Sequence, residues 1–174
     1  VTPDVSCFGK AMANGMPISA IVGKRKIMKN FDKIFFSTTF GGETLSIAAA
    51  LETIKYLEKK NVINCIKKFS KQLNKDINKL INKNKLNNIF TLEGVWWRPS
   101  FGIRPGINRK YLIALRRNLI INKILIGNSF NFCYAHTRKN LYDKILFKIN
   151  KALKDTKLSN GFNNIKIDKN TVRS

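Results

Sequence analysis

Apolar residues recur at steps of three and four through the middle of this chain, and that spacing predicts helices. The clearest stripe consists of Val62, Ile66, Phe69, Leu73, Ile77 and Leu80. Lysines stand between its members, so the pattern predicts one long helix with a buried face and a solvated face. An alanine-rich helix is predicted just before it, from about Glu43 to Lys59. A last helix is predicted over about 138–155, and its inward-facing residues are Leu141, Ile145, Ile149 and Ala152.

Shorter patterns predict the elements around these helices. The apolar run Ile18–Gly23 predicts a short buried strand, and residues 24–34 predict a short basic helix. Residues 82–88 are polar and interrupt the helical period, which indicates a linker.

After this linker, the pattern predicts a small α+β unit. Residues 89–94 and 95–101 predict two strands joined by a turn. Asn108 is expected to cap a helix that runs to about Asn122. Residues 124–134 predict a further strand. Periodicity alone therefore gives a mixed α/β chain.

Composition adds a large positive charge to this picture. The 174 residues carry a formal net charge of +23, and the 44% apolar and 10% aromatic content predicts a globular fold. A surface this basic would ordinarily suggest nucleic acid or an anionic membrane. Here the excess of lysine comes with many asparagines and isoleucines, which is typical of AT-rich codon usage, and the lysines are spread over helix faces. We therefore do not expect nucleic-acid binding to be the main function.

Several other classes of site are disfavoured. Cys7, Cys65 and Cys133 show neither disulfide nor metal-ligand spacing, which is typical of thiols in a reducing compartment. His136 is the single histidine, so we expect no metal site. No apolar run is long enough to span a membrane, and the start lacks the pattern of a signal peptide. We expect a cytoplasmic protein without membrane association.

Candidate chemistry begins in the first seventeen residues, VTPDVSCFGKAMANGMP. Lys10 lies in a small-residue loop between Gly9 and Gly15, a setting that can hold an amine close to a flat ligand. A free lysine amine has a pKa near ~10.4, and desolvation or a nearby cation can bring that of a catalytic lysine down to roughly 7–8. The alternative is that Lys10 is one more surface lysine beside a turn.

A second segment, FFSTTFGGETLS, covers residues 35–46. It is rich in hydroxyls and glycines and leads into the alanine-rich helix. Free backbone N–H groups at a helix N-terminus, together with a side-chain hydroxyl, form a natural phosphate site, and Thr39 is the candidate hydroxyl. The alternative is that Thr39 or Thr44 only caps the helix.

At this spacing, the two segments resemble the cofactor-lysine region of the class III pyridoxal-phosphate aminotransferases, in the branch that includes glutamate-1-semialdehyde aminomutase. A third segment, IGNSFNFCYAHT at residues 126–137, resembles the final small-domain strand of that branch. There we expect Thr137 to cap the following helix and His136 to be structural. The resemblance extends from residue 1 to about 155 and is strongest over 1–51.

The resemblance implies specific roles for two residues. Lys10 would form the Schiff base with pyridoxal 5′-phosphate and move a proton between substrate and cofactor. Thr39 would bind the cofactor phosphate of the neighbouring subunit in a homodimer. In the family, an aspartate upstream of the lysine pairs with the pyridine nitrogen. Asp4 is not its counterpart, so we expect the isolated chain to be incomplete and inactive.

Other residues keep two interpretations. Arg98 and Arg104 flank predicted small-domain strands, a region from which related enzymes often bring an arginine to a substrate carboxylate. We favour a structural or surface role for both. Trp96 and Trp97 could line a substrate entrance, but packing in a core or interface is the interpretation that we favour.

The implied fold is α/β, namely the end of the large domain plus the small C-terminal α+β domain of the type I pyridoxal-phosphate (aspartate aminotransferase-like) fold. Four segments follow from it. They are 1–59, the C-terminal part of the large cofactor-binding domain; 60–85, a spanning helix and linker; 86–155, the small C-terminal domain; and 156–174, a tail.

The implied function is amino group transfer between a small-molecule amino donor and a carbonyl acceptor, with this chain as the C-terminal portion of the enzyme. The runner-up is glutamate-1-semialdehyde 2,1-aminomutase, which moves the amine within one molecule. The short distance between Lys10 and Thr39 in the sequence favours an aminotransferase. A hypothesis of another class is an inactive remnant or a basic polyanion-binding module.

Overall fold

The computed structural model describes residues 2–158. The chain divides into two compact units, and the division falls after Val62. The first unit contains β1 (Val5–Phe8), β2 (Ala20–Gly23), α1 (Arg25–Met28) and α2 (Thr44–Lys59). The second contains most of α3 (Val62–Lys83), and then β3 (Phe90–Glu93), β4 (Ser100–Ile103), α4 (Lys110–Ile121) and α5 (Lys139–Leu158). Helices and strands are mixed along the chain, as the predicted α/β class requires.

The two strands of the first unit form an antiparallel pair in which Val5 lies opposite Gly23. The strand predicted over Ile18–Gly23 is therefore present in its second half, but the expectation that it is buried is wrong. Ile21 is 40% exposed and Val22 is 49% exposed. The sheet has only these two strands, and no second layer covers it within the described part of the first unit.

Helix α2 has the predicted length, but neither Thr39 nor Thr44 caps it. The cap is Glu43, whose carboxylate accepts hydrogen bonds from the backbone N–H groups of Leu45 and Ser46. A carboxylate suits this position because its charge also complements the helix dipole.

Helix α3 supplies one side of the core of the second unit. The predicted stripe is correct, since Phe69, Leu73 and Ile77 are buried in it. The core also contains Ile81, Leu86, Phe90, Phe101, Leu115, Leu119, Ile126, Phe130, Ile149, Ala152 and Leu153. Antiparallel strands β3 and β4 and helices α4 and α5 pack around it.

The polar segment predicted as a linker is a tight turn at the end of α3. Asn84 is buried, and its side-chain amide donates to the Leu80 carbonyl at 2.8 Å and to the Asn150 side chain at 2.9 Å. Leu86 is buried in the core. The period is interrupted as expected, but the segment is anchored rather than loose.

Two strand predictions in the second unit need correction. The strand expected over 95–101 is β4, which is displaced to Ser100–Ile103 because Val95–Arg98 forms a turn closed by the Arg98 N–H and the Val95 carbonyl at 3.0 Å. The strand expected over 124–134 is absent. In that segment, the one backbone hydrogen bond toward the hairpin joins the Phe130 N–H to the Pro99 carbonyl.

The final helix is longer than predicted. It begins at Lys139 and continues to Leu158, so the first three residues of the predicted tail, 156–158, are helical. The rest of that predicted tail lies outside the described residues. Thr137 does not cap the helix, because its hydroxyl donates to the Tyr134 carbonyl at 2.7 Å within a preceding 3-10 turn.

Candidate cofactor site

Lys10 begins a short 3-10 turn, Lys10–Met12, directly after β1. The turn is closed by a hydrogen bond of 3.1 Å from the Met12 N–H to the Gly9 carbonyl. Lys10 itself has a φ of +48°, a left-handed conformation that is uncommon for residues other than glycine. Asn14 and Gly15 have positive φ as well, so the connection between the two antiparallel strands contains three residues with left-handed backbone. The glycines of this segment predict a turn, and the turn is present.

The Lys10 side chain is accessible. The residue is exposed, and its side chain forms no ion pair or hydrogen bond with any residue that the structure describes. Lys24, in the same unit, differs in this respect because its amine pairs with Asp4 at 2.5 Å. That ion pair also engages the carboxylate of Asp4.

Thr39 lies in the turn that leads into α2. The turn is held by two backbone hydrogen bonds, from the Gly41 N–H to the Thr38 carbonyl at 3.0 Å and from the Glu43 N–H to the Phe40 carbonyl at 3.3 Å. Thr39 is exposed, and among the described residues its hydroxyl has no hydrogen-bond partner. The hydroxyl is therefore free to bind an external oxygen.

The expected use of the helix N-terminus is not supported. Glu43 Oε1 lies 2.9 Å from the Leu45 nitrogen, and Oε2 lies 2.6 Å from the Ser46 nitrogen. These hydrogen bonds from Ser46 and Leu45 lower the pKa of the Glu43 carboxyl, which stays ionised. Because these two N–H groups are occupied, a phosphate contact at this turn would rest on Thr39 rather than on the start of α2.

The structure places Lys10 and Thr39 in the same unit. The turn that carries Lys10 contacts α2, the helix that follows the Thr39 turn. An unpaired amine can attack an aldehyde as a nucleophile, and an unpaired hydroxyl can donate a hydrogen bond to a phosphate oxygen. The residues present therefore fit pyridoxal 5′-phosphate, with Lys10 for its aldehyde and Thr39 for a phosphate.

The two candidate arginines both make structural contacts. Arg98 Nε donates to Ser129 Oγ at 2.9 Å, and Arg104 Nε donates to the Asn87 carbonyl at 3.2 Å. Each contact joins a loop to the β3–β4 hairpin. Trp96 and Trp97 form an edge-to-face pair with ring centroids 5.0 Å apart.

His136 lies in the 3-10 turn Tyr134–Thr137, not at a strand end. Its Nδ1 accepts a hydrogen bond of 3.0 Å from the Cys133 N–H and also lies 3.3 Å from Cys133 Sγ. This pair is not among the sites predicted from the sequence, since neither the cysteine spacing nor the single histidine indicates it alone. The signal is the three-residue spacing of Cys133 and His136 within one turn.

Residues 2–158 contain neither a candidate membrane-spanning helix nor a candidate metal-binding cluster. No helix there combines the length and the apolar character needed to cross a bilayer. No group of three or more histidine, cysteine, aspartate or glutamate side chains is arranged to hold a metal ion.

Comparison with curated proteins gives relatives of two kinds. The chain is 33% identical over 150 residues to the 3-aminobutyryl-CoA aminotransferase of Cloacimonas acidaminovorans, a match that covers 81% of this chain and 35% of the relative. It is 30% identical over 141 residues to the glutamate-1-semialdehyde 2,1-aminomutase of Saccharolobus islandicus, covering 74% and 32% respectively. The chain thus spans about a third of the length of these relatives.

Solved structures establish the fold. The PLP internal aldimine form of the FumI protein of Sphingopyxis sp. MTA144 superposes with a TM-score of 0.80 over 90% of this chain and 38% of that chain, at 19% identity. This likeness identifies the fold as the one predicted for type I pyridoxal-phosphate enzymes. Residues 1–94, more than half of the sequence, match the family model described as aminotransferase class-III. The chain belongs to the class-III aminotransferase family.

Proposed function

We propose that this chain is the C-terminal portion of a pyridoxal-phosphate-dependent transaminase that moves an amino group between a small-molecule donor and a carbonyl acceptor. The observation that carries the proposal is the exposed, unpaired amine of Lys10 in the turn after β1. This turn lies within the segment that matches the family.

In this proposal Lys10 has two tasks. Its amine binds the aldehyde carbon of the cofactor, and it later holds or moves a proton at the substrate α-carbon. Bound pyridoxal phosphate supplies a ring that withdraws the electron pair left when that carbon loses its proton. The turn fixes the backbone at Lys10 through the hydrogen bond between Met12 and Gly9, which limits where the amine can reach.

We further propose a homodimer in which Thr39 donates its hydroxyl to the cofactor phosphate of the neighbouring subunit. The aromatic side chains near Thr39 in the sequence support the proposal that a second subunit covers this surface. Phe35 is 95% exposed, and Phe36 and Phe40 are exposed as well. Exposed aromatic side chains within one short segment are costly in water and are typical of an interface. Sedimentation of the complete protein tests this: a monomer at micromolar concentration would contradict the proposal.

Cofactor trapping tests the role of Lys10. The protein is incubated with pyridoxal 5′-phosphate, the lysine–cofactor bond is made permanent by borohydride, and the modified lysine is located by peptide mass. The experiment is run on the 174-residue chain and on the product of the complete reading frame that contains it. We expect stoichiometric modification of Lys10 in the complete product.

Two variants make this test selective. Lys10→Ala is expected to abolish stoichiometric modification, whereas Lys24→Ala, which removes an exposed lysine of the same unit, is expected to leave it unchanged. Modification scattered over many lysines, and unaltered by Lys10→Ala, would refute the proposal and favour a basic polyanion-binding module. Under that hypothesis, the chain should bind heparin or RNA with an affinity that decreases steeply as the salt concentration rises.

The 174-residue chain alone is proposed to be inactive. Among residues 2–158, the acids of the first unit include Asp4, which pairs with Lys24, and Glu43, which caps α2. Neither is free to pair with a pyridine nitrogen, and the other acids of this unit, Asp32, Glu52 and Glu58, all follow Lys10 in the sequence, whereas in the family this aspartate precedes the lysine. Turnover by the chain alone that disappears in Lys10→Ala would contradict this part of the proposal.

The runner-up is an aminomutase, which the name of the Saccharolobus relative suggests. The two activities differ in whether an external carbonyl acceptor is needed. Conversion of glutamate 1-semialdehyde without any added acceptor would favour the aminomutase, and amine transfer that requires a 2-oxo acid would favour the transaminase.

We also propose a cytoplasmic location, which the three free cysteines support.

A further inference from the structure

Cys133 and His136 lie side by side in the second unit, in the turn that precedes α5. Cys133 Sγ is 3.3 Å from His136 Nδ1, and the Cys133 backbone N–H donates to the same ring nitrogen at 3.0 Å. A backbone N–H can only donate, so Nδ1 carries its lone pair and the proton of the neutral ring is on Nε2. The backbone N–H and the thiol share this one lone pair, so Nδ1 takes the thiol proton only as its hydrogen bond from the Cys133 N–H breaks.

The surrounding structure holds this pair in place. The His136 N–H donates to the Cys133 carbonyl at 3.0 Å, and the Thr137 hydroxyl closes the same turn through Tyr134. On the side before the turn, Phe132 packs edge-to-face against Phe69 of α3 with centroids 5.7 Å apart. Cys133 follows Phe132 and is exposed. The geometry thus fixes a nucleophile and a base at a position that reagents can reach.

We propose that Cys133 and His136 form a reactive thiol site that takes small disulfides and soft electrophiles. With a disulfide, His136 Nδ1 removes the thiol proton as Cys133 Sγ attacks one sulfur. A new S–S bond forms while the S–S bond of the reagent breaks, and the departing thiolate takes the proton from His136. One disulfide is consumed and one thiol is released, so no further oxidant is needed. The site is independent of Lys10 and of the proposed transaminase activity.

The chain contains its own reference for reactivity. Cys7 lies on β1 and is also an exposed free cysteine. His136 is the only histidine in the sequence, so Cys7 has no imidazole base. Comparing the two thiols within one molecule removes differences in protein concentration, reagent and buffer.

The first test measures alkylation by iodoacetamide at each cysteine of the full chain by peptide mass at successive times. We expect Cys133 to react at least about tenfold faster than Cys7 in the native chain, since a positioned base accelerates proton removal. In guanidinium chloride the two rates should agree within about twofold, since the turn is lost. Equal native rates would overturn the proposal, and this comparison requires no variant.

The second test replaces the base. The His136→Asn variant keeps an acceptor for the Cys133 N–H, but its side-chain amide is unable to take the thiol proton. The alkylation rate of Cys133 in the native variant should therefore fall to about that of Cys7. An unchanged rate, with the far-ultraviolet circular dichroism also unchanged, would show that His136 only holds the turn. Glutathione disulfide is then expected to form a mixed disulfide first at Cys133, reversibly with dithiothreitol. Equal modification of Cys7 and Cys133 by that reagent would contradict the site.

Discussion

The Tyr142 hydroxyl on α5 donates a hydrogen bond of 2.6 Å to Asp76 Oδ2 on α3. Lys79 Nζ lies 2.8 Å from the other carboxylate oxygen, and Gln72 Nε2 donates to Oδ2 at 2.9 Å. The hydrogen bonds from Lys79, Tyr142 and Gln72 hold the pKa of Asp76 well below its usual range. Burial, followed by the hydrogen bond to Asp76, raises the pKa of Tyr142 well above its usual range. The Asp76 carboxylate, whose side chain is 19% exposed, therefore joins two helices of the second unit in its ionised form.

The low pKa of Asp76 predicts a loss of stability in acid. A carboxyl whose pKa is lower in the folded state than in the unfolded chain stabilises fully above the unfolded value of ~3.9, and this stabilisation is lost as the pH falls through the folded pKa. The free energy of unfolding should therefore decrease as the pH is lowered from about 5. Asp76→Asn should flatten this decrease in urea titrations. Asp143→Asn, at an exposed aspartate of α5, serves as the control and should leave the slope unchanged.

Truncating a side chain on the buried face of α3 should lower the free energy of unfolding far more than truncating one on its exposed face. Ile77 is fully buried, whereas Ile63 on the same helix is 59% exposed. Ile77→Ala should lower the free energy of unfolding of the second unit by about 2–5 kcal/mol, since it removes apolar contacts and leaves a cavity. Ile63→Ala should change it by about 0.5 kcal/mol or less. Urea unfolding followed by circular dichroism measures both, and similar losses in the two variants would contradict the assigned faces.

Gly23 has a specific reason to be glycine. A Cβ at this position would lie 2.6 Å from the Asp4 carbonyl oxygen and 3.2 Å from Val5 Cα, which are backbone atoms with little freedom to move. Gly23→Ala should therefore open the end of the β1–β2 pair. Amide hydrogen exchange in Val5–Phe8 should accelerate, and cofactor trapping at Lys10 should fall. Gly42→Ala is the matched control, since nothing lies within 4 Å of a Cβ there, and unchanged exchange in Gly23→Ala would contradict the predicted clash.

Removing the cap of α2 should shorten that helix. Glu43→Ala leaves the Leu45 and Ser46 N–H groups without their partner, so the helical circular dichroism signal should decrease. Because the pKa of Glu43 is lowered in the folded chain, the effect should be fully present at neutral pH and should be lost as the pH falls below the unfolded value of ~4.3 and through the lower folded pKa. Glu58→Ala, near the other end of the same helix, should not weaken α2, since an acid there opposes the helix dipole. Equal losses in both variants would exclude the capping role.

The sequence predicted the long helices well because burial there follows one regular period. In α3, Phe69, Leu73 and Ile77 fall on one face whatever the neighbouring elements do, and the structure buries them together. The motif around Lys10 likewise predicted a turn. The second segment, residues 35–46, did not determine that the Glu43 carboxylate would accept hydrogen bonds from the first N–H groups of α2, because that depends on the rotamer of one side chain.

The errors share a different cause. Residues 124–134 alternate like a strand, and Phe130 and Phe132 do turn toward aromatic neighbours. A strand also needs a continuous partner edge, and the one backbone hydrogen bond from this segment to the hairpin joins the Phe130 N–H to the Pro99 carbonyl. Similarly, Ile21 and Val22 are apolar enough for a buried strand, but burial depends on a covering layer that local pattern does not specify.

The small core of the first unit has a consequence for cooperativity. In the described part of that unit, the buried side chains are Ala13, Ser46, Ala50 and Val62, while Phe35 is almost fully exposed. Such a set contributes little hydrophobic free energy, since small side chains bury little apolar area. The second unit should melt in one sharp transition, whereas the first should lose its order gradually unless another surface covers it. Ordering of the turn around Lys10 and association with that surface would then be linked equilibria. Binding of that surface to the first unit would therefore also stabilise the ordered conformation of the Lys10 turn.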